Sequence, residues 1–303
     1  MAFSPLTKTD IDALIRIAGK DAIFTSEEIR KEYGHDETED LNFPPEVVVK
    51  PESTQIVSAI LNYCNQHAIP VTAIGARTGL SGGALSVFGG VGLSLERFNR
   101  IIEIDEKNLQ VTTEPGVITQ VLQEAVIEKG LFYPVDPSSR GSCTIGGNLA
   151  ENSGGPRAVK YGVTKDYVLN LEVVLPNGEV IMTGANTLKN STGYNLTQLM
   201  IGSEGTLGII TKAVLKLWPY PAQNVLMLVP FFNATKACEA VSAVFREGII
   251  PSAMEFMERD AIDWTLRFVD GISIPIKDEV QAHLLIERSE EHTSELQSPC
   301  NLV

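Results

Sequence analysis

The stretch that most constrains this chain runs Ser142-Cys143-Thr144-Ile145-Gly146-Gly147-Asn148-Leu149-Ala150-Glu151-Asn152-Ser153-Gly154-Gly155, two glycine pairs bracketing small, amide and hydroxyl residues. A glycine pair removes the Cβ atoms that keep a ligand off the backbone, and it permits φ > 0. Peptide N–H groups can then converge on an anion or on the polar edge of a flat ring. A lone glycine pair is ordinarily a surface turn. Here two more glycine-rich loops, Gly75 to Gly83 and Gly202 to Gly208, each adjoin an apolar strand-like run. Three such loops point to one large ligand touched along its length.

Charge says how that ligand must be held. The net charge of −14 argues against a nucleic-acid or anionic-membrane partner, so any phosphate has to be gripped by loops rather than by a basic surface. The 303 residues, 44% hydrophobic, suffice for about two globular domains. Cys64, Cys143, Cys238 and Cys300 contain no CxxC pair, which fits reduced thiols in a cytoplasmic protein and offers no metal site. Met1 to Asp12 lacks the basic start and apolar run of a signal peptide, and no apolar segment approaches the ~20 residues of a transmembrane helix.

Residues 1–43 read as a helical, acidic segment with a packing role, Gly19 stopping the first helix. Val47 to Val49 is a short buried strand. Ser53 caps a helix carrying Ile56, Val57, Ile60, Leu61 and Cys64 on one face, and Val71 to Ile74 is the next strand. This β-α-β unit implies parallel pairing. The loop that follows, Gly75-Ala76-Arg77-Thr78-Gly79-Leu80-Ser81-Gly82-Gly83, lacks the dinucleotide fingerprint, whose glycines follow the first strand, and has no GK[ST]. Its position still suits a phosphate cradle. Beyond the strand Val91 to Leu95, Ile101 to Ile104 and Leu109 to Thr113 form a hairpin, and a helix from Ile118 to Lys129 closes at Gly130. Val168 to Leu175 and Val180 to Met182 pair across Asn177-Gly178, and a strand covers Ile209 to Trp218. Glu204, between glycines, is equally a solvated turn residue or part of a site. From Pro219 the composition changes, and Val225 to Phe231, a helix through Phe245, Met254 to Met257 and His283 to Glu287 open a second domain.

Taken together, "GSCTIGGNLAENSGG" and "IGSEGTLGIIT", with Gly75 to Gly83, Pro134-Val135-Asp136-Pro137 and Tyr161-Gly162, resemble the FAD-linked oxidases of the vanillyl-alcohol oxidase type. Within that type the resemblance is to the glycolate oxidase flavin subunit and the D-lactate and D-2-hydroxyglutarate dehydrogenases, and it runs from about Pro44 to Glu287. It implies an α+β chain: a two-subdomain FAD-binding fold over residues 44–219, a small parallel part plus an antiparallel sheet with helices around both, then a truncated α+β capping domain over 220–287. It further implies that Gly75, Ala76, Arg77, Thr78 and Gly79, with Gly82 beyond them, hold the pyrophosphate. Asp136, Gly141, Ser142, Thr144, Gly146, Gly147 and Asn148 would line the ribityl and phosphate stretch. Asn152, Gly154, Gly155 and Tyr161 would approach the isoalloxazine. Gly162, Val163, Glu204, Gly205, Gly208, Ile209 and Ile210 would meet the adenine or flavin ends. Two positions depart from the family: Ile74 stands where relatives often carry Arg, and Arg77 where they usually carry Gly. Arg77 has two directions open to it, the pyrophosphate or solvent.

Covalent attachment in this superfamily uses a His or Cys. The glycine stretch holds no His, and Cys143 reads as a small apolar residue, so noncovalent FAD is expected. His35, His67, His283 and His292 stand alone and offer neither a metal site nor an oriented base. The activity implied is oxidation of a D-2-hydroxyacid, with an electron acceptor or partner subunit left open. The alternatives are a sugar or alditol oxidase and an FAD-binding electron-relay subunit. Arg288 to Ser298 also resembles the in-frame translation of a sequencing-library adapter. On that reading residues 288–303 are non-native, and the chain as written binds FAD poorly to moderately and turns over no hydroxyacid.

Overall fold

The structure, a computed structural model, describes residues 3–290 apart from 39, 272, 273 and 275. The chain divides into two compact units. The first takes the chain up to Tyr133, Ser138–Ser153 and Val163–Trp218. The second takes Pro134–Pro137, Gly154–Gly162 and the chain from Pro219 onward.

In the first unit, α1 (Lys8–Ala18) starts on a capping box between Thr7 and Asp10 and ends at Gly19, whose φ of +86° suits only glycine. A strand absent from the helical reading of this segment follows: β1 (Ile23–Phe24) pairs antiparallel with β2 (Val47–Val49), with α2 (Glu27–Glu32) between them. Ser53 accepts from the Ile56 amide and caps α3 (Thr54–Gln66), which buries Val57, Ile60, Leu61 and Cys64. Next come β3 (Val71–Ile74) and β4 (Val91–Ser94). The sheet order is β1-β2-β4-β3, so β2 and β3 run parallel but do not touch; β4 enters between them and pairs with both. Burial accompanies this order: β4, like β2, is buried along its whole length while β3 is mostly part-buried, and Gly92 lets Ile74 and Pro45 close over it. Leu93, Val91, Val47, Val49, Leu14 and the α3 face form one core.

The second sheet of this unit is antiparallel. It comprises the hairpin β5 (Ile101–Asp105) and β6 (Gln110–Thr113), then, after α4 (Thr119–Ile127), the short β7 (Leu131–Phe132) and α5 (Ile145–Glu151), the hairpin β8 (Val168–Val174) and β9 (Val180–Met182), α7 (Leu196–Met200) and β10 (Ile209–Lys216); α6 (Ala158–Tyr161) belongs to the second unit. Its order is β5-β6-β10-β8-β9. Asp105 accepts from the amides of Lys107 and Asn108 in the first turn, and Gly178 supplies φ +88° in the second.

The second unit, past the two-residue β11 (Trp218–Pro219), is built on β12 (Gln223–Phe231), α8 (Ala234–Arg246), β13 (Ala253–Glu258), α9 (Arg259–Phe268) and β14 (Ala282–Glu290). The three long strands lie in the order β12-β14-β13, all antiparallel. The strand read as His283 to Glu287 runs on to Glu290, with Arg288 to Glu290 paired against Gln223 to Val225. Ser289 is buried there, hydrogen-bonded to the Tyr161 hydroxyl at 2.6 Å. The rest of the adapter-like tail, 291–303, lies outside the described residues. Among the described residues no helix is long and apolar enough to cross a membrane.

Leu93 is fully buried at the centre of the parallel sheet. Leu93→Ala should cost about 2–5 kcal/mol of stability through lost burial and the cavity left behind, readable in chemical denaturation.

Candidate functional site

The glycine stretch folds as a helix where a loop was expected. Thr144 caps α5 by accepting from the Gly147 amide, and Gly146 and Gly147 fall in its first turn; neither has positive φ. Glycine serves approach here rather than left-handed backbone. A Cβ on Gly146 would stand 2.7 Å from the Pro115 Cβ. Instead the Gly146 amide donates to the Pro115 carbonyl at 2.7 Å and the Ile145 amide to Val117 at 2.9 Å. One layer further, the Gly116 amide donates to the Phe98 carbonyl at 2.7 Å, and a Cβ on Gly116 would collide with the Leu95 and Phe98 carbonyls. Three main-chain layers thus stack with no side chain between them.

The other two loops attach to the same helix. A Cβ on Gly75 would lie 3.3 Å from Thr144 Oγ1 and 3.8 Å from Gly147 Cα. At the far end of α5, the amides of Gly202 and Glu204 donate to the carbonyls of Leu149 and Ala150 at 2.9 and 3.1 Å. Glu204, exposed to solvent, holds φ +51° in this turn.

Around α5 lies a cavity of about 730 Å³, within the range of cofactor sites. Its walls are of two kinds. Ile74, Leu95, Pro115, Val117, Ile118, Val121, Ile209 and Ile210 are apolar, whereas Thr78, Ser139, Ser142, Thr144, Ser153, Ser203, Asn99 and Asn148 carry hydroxyls and amides among the glycines. Five carboxylates also face it: Glu32, Asp36, Glu96, Glu151 and Glu204. Burial raises the Glu151 pKa above the ordinary value, and the charge of Glu204 pushes the same way. Burial likewise pushes Glu96 up, but hydrogen bonds from Lys50 and Tyr33 outweigh it and hold its pKa below the usual value. Asp36 Oδ2 and Arg77 Nη1 are buried with no hydrogen-bond partner.

Of the residues singled out in the sequence, Gly75, Ala76, Arg77, Thr78, Gly79, Ser142, Thr144, Gly146, Gly147, Asn148, Glu204, Gly205, Gly208, Ile209 and Ile210 line this cavity together. Gly82, Gly141, Asn152 and Val163 do not. Asn152 takes φ +52° to end α5 and accepts from the Lys165 amide at 2.9 Å. The Asn148 amide is committed to Thr119 Oγ1 at 2.6 Å. Asp136, Gly154, Gly155, Tyr161 and Gly162 belong to the second unit. There Asp136 pairs with Arg157 at 3.7 Å, and Gly155 is needed because a Cβ would strike Asp136. Sequence reading missed Glu32, Tyr33 and Asp36, from a segment given only a packing role, together with the apolar wall from Leu95 to Val121. Nothing local marks Glu32, Tyr33 and Asp36, which lie between β1 and β2 and are held by that strand pair. None of His35, His67 and His283 lines the cavity, and the described residues contain no metal-binding cluster.

Solved structures of alkyldihydroxyacetonephosphate synthase superpose with a TM-score of 0.82 at 19% identity, over 96% of this chain and 58% of theirs. That of p-cresol methylhydroxylase gives 0.77 at 19%, over 94% and 61%. At such identities the likeness is one of fold. Residues 45–184 match the FAD binding domain family, which makes the first unit an FAD-binding domain with FAD as its cofactor. Residues 220–303 match the C-terminal domain of FAD linked oxidases, and the chain belongs to the FAD-linked oxidases. It is 43% identical to the glycolate oxidase subunit GlcD of Bacillus subtilis (strain 168), over 93% of this chain and 60% of that protein. It is 42% identical to a D-lactate dehydrogenase of Anaerostipes hadrus over 88% and 56%. For a D-2-hydroxyglutarate dehydrogenase of Xanthomonas citri pv. viticola the figures are 40% over 77% and 49%. The chain therefore spans 60% or less of the length of these relatives.

The residues present fit FAD. A dinucleotide brings phosphate acceptors for the orphaned Arg77 Nη1 and hydroxyl donors for the orphaned Asp36 Oδ2. Its rings suit the apolar wall. At Gly147, a Cβ would meet only Thr144 Oγ1, at 3.6 Å, so nothing in the protein forbids a side chain there. What it would obstruct is the cavity.

The two glycines of the pair should therefore behave differently. Gly146→Ala should destabilise the apoprotein. Gly147→Ala should leave it unchanged or raise its stability by ~0.5–1 kcal/mol, alanine being the better helix former, while weakening FAD binding. Melting and FAD titration of the two variants check this; equal behaviour would sink it. At Glu151, the raised carboxyl pKa contributes stability that is present below the ordinary carboxylate range and lost as pH rises through the raised value. Glu151→Gln should flatten the fall in melting temperature between acid and neutral pH, and an unchanged slope would contradict the assignment.

Proposed function

We propose that this chain forms the FAD-holding part of a flavoprotein that oxidises a D-2-hydroxyacid of the glycolate, D-lactate or 2-hydroxyglutarate class. The observation that carries the proposal is the single cavity wall made by all three glycine loops on α5. The substrate class rests on relatives whose names share one chemistry, a hydroxyl on the carbon next to a carboxylate. Bound FAD supplies the chemistry of accepting a hydride from that carbon at N5. The chain's residues hold and shield. Thr144, Gly146 and Gly147 present bare backbone, the Leu95-to-Val121 wall excludes water, and Thr78, Ser142 and Ser203 offer hydroxyls.

The binding is noncovalent on this reading, because Cys143 is a buried free thiol within 3.3 Å of Thr119 Oγ1 and no described histidine reaches the cavity. The free thiols of Cys64, Cys143 and Cys238 suit a cytoplasmic setting. A partner subunit or external acceptor would take the electrons. A second reading, an FAD-binding relay subunit without its own substrate, is kept because GlcD is named a subunit.

The test is a single reduction of stoichiometric flavin, which needs no external acceptor; as the keto acid forms, the hydride goes to the flavin and the hydroxyl proton to solvent. The FAD-loaded chain, mixed anaerobically with glycolate, D-lactate or D-2-hydroxyglutarate, should lose the flavin band near roughly 450 nm, and acid precipitation should release the flavin to the supernatant. Flavin bleached by dithionite but by none of the acids would favour the relay subunit. Colour retained in the acid pellet would refute noncovalent attachment.

A further inference from the structure

Among the described residues lining the cavity, Arg77 is the only one with a cationic side chain, against five carboxylates. Its backbone sits at φ +59°, a region that side-chain-bearing residues rarely adopt and glycine takes without strain. The side chain is folded into the unit and mostly covered. Its guanidinium lies over the Tyr33 ring, 4.3 Å from the centroid, and Tyr33 is itself held by its hydroxyl's hydrogen bond to Glu96. The one carboxylate that reaches it, Glu32, is exposed and stands at 3.4 Å from Nη2. Nη1 is buried and has no acceptor. A strained backbone and an unanswered buried donor are both unfavourable in the empty protein, so the arrangement fits an anion that arrives later.

We propose that Arg77 is a specific anchor for the pyrophosphate of FAD, in place of the bare backbone that a glycine would present, with Tyr33 of the N-terminal segment holding the guanidinium in position. The other cavity side chains that ionise would repel a dianion. Arg77 offsets them, and its planar fork offers phosphate oxygens a charge-assisted contact. This gives residues 27–36 a part in cofactor binding, through the stack on Tyr33. The inference rests on the cavity being the FAD site.

The test compares apoprotein carrying Arg77→Gly, Arg77→Lys or Glu32→Gln with the unaltered chain, reading melting temperature and FAD affinity at low and high salt. Arg77→Gly should leave the apo melting temperature unchanged or higher, since glycine relieves the φ strain, while FAD binding weakens about tenfold or more at low salt. That difference should narrow at high salt, as a charge contact is screened. Arg77→Lys, which keeps the charge but loses the fork, should fall between the two. Glu32→Gln frees the guanidinium and removes one of the five facing carboxylates, so FAD affinity at low salt should rise; a loss of affinity would count against the inference. An Arg77→Gly chain that binds FAD as well as the unaltered one overturns the inference and leaves the FAD site standing. So does a loss of affinity that tracks a fall in apo melting temperature, or one indifferent to salt. An unaltered apoprotein that binds no FAD removes the site and the inference together.

Discussion

The first unit depends on backbone meeting backbone with nothing between. Phe98, the Pro115-Gly116 turn and the first turn of α5 are stacked by short main-chain hydrogen bonds at Gly116 and Gly146. The layers come from different places: Leu95 ends the stretch begun by β4 of the parallel sheet, Pro115 follows β6 of the antiparallel sheet, and α5 follows Ser142. A methyl group at either glycine would meet carbonyl oxygens or the proline ring, and a packed interior cannot absorb that by small adjustments. The two sheets are thereby joined where the cavity opens, and the cavity's shape inherits the rigidity of the joint.

Electrostatically the site runs against simple expectation. A protein of net charge −14 takes a cofactor with an anionic middle and lines the cavity with carboxylates. Lys50 does not line it; that ammonium is spent on Glu96 at 2.8 Å and lies against the Phe24 and Tyr33 rings. On the proposed reading Arg77 meets the pyrophosphate, and the other polar parts of FAD fall to peptide dipoles and hydroxyls, which carry no net charge to be balanced elsewhere.

Much of the local structure could be read in the chain because local chemistry determines it. Ser53 caps α3, Gly19 stops α1, and Asp105 and Asn177-Gly178 close their hairpins as their side chains and φ preferences require. The misses are of another kind. Gly146-Gly147 argues against helix by propensity, and the Thr144 cap together with tertiary contacts to Pro115 overrode it. The place of β4 between β2 and β3 follows from burial over the whole sheet, which no window of sequence displays. Glu32, Tyr33 and Asp36 reach the cavity only because β1 pins the N-terminal segment to β2. Many of the loop residues singled out in the sequence line the cavity, whereas most of its apolar wall, from Leu95 to Val121, was not foreseen.

The second unit borrows Pro134–Pro137 and Gly154–Gly162 from the middle of the chain, and this bears on how the protein is made. Arg157 pairs with Glu287, 130 residues later, and Tyr161 with Ser289 on the same strand. A ribosome adding ~5–20 residues per second leaves these segments waiting roughly 6–26 seconds for β14. The first unit is interrupted twice by chain that has no partner yet, so the two units cannot simply mature in order of synthesis. β14, far along the chain, completes what the middle of the chain began.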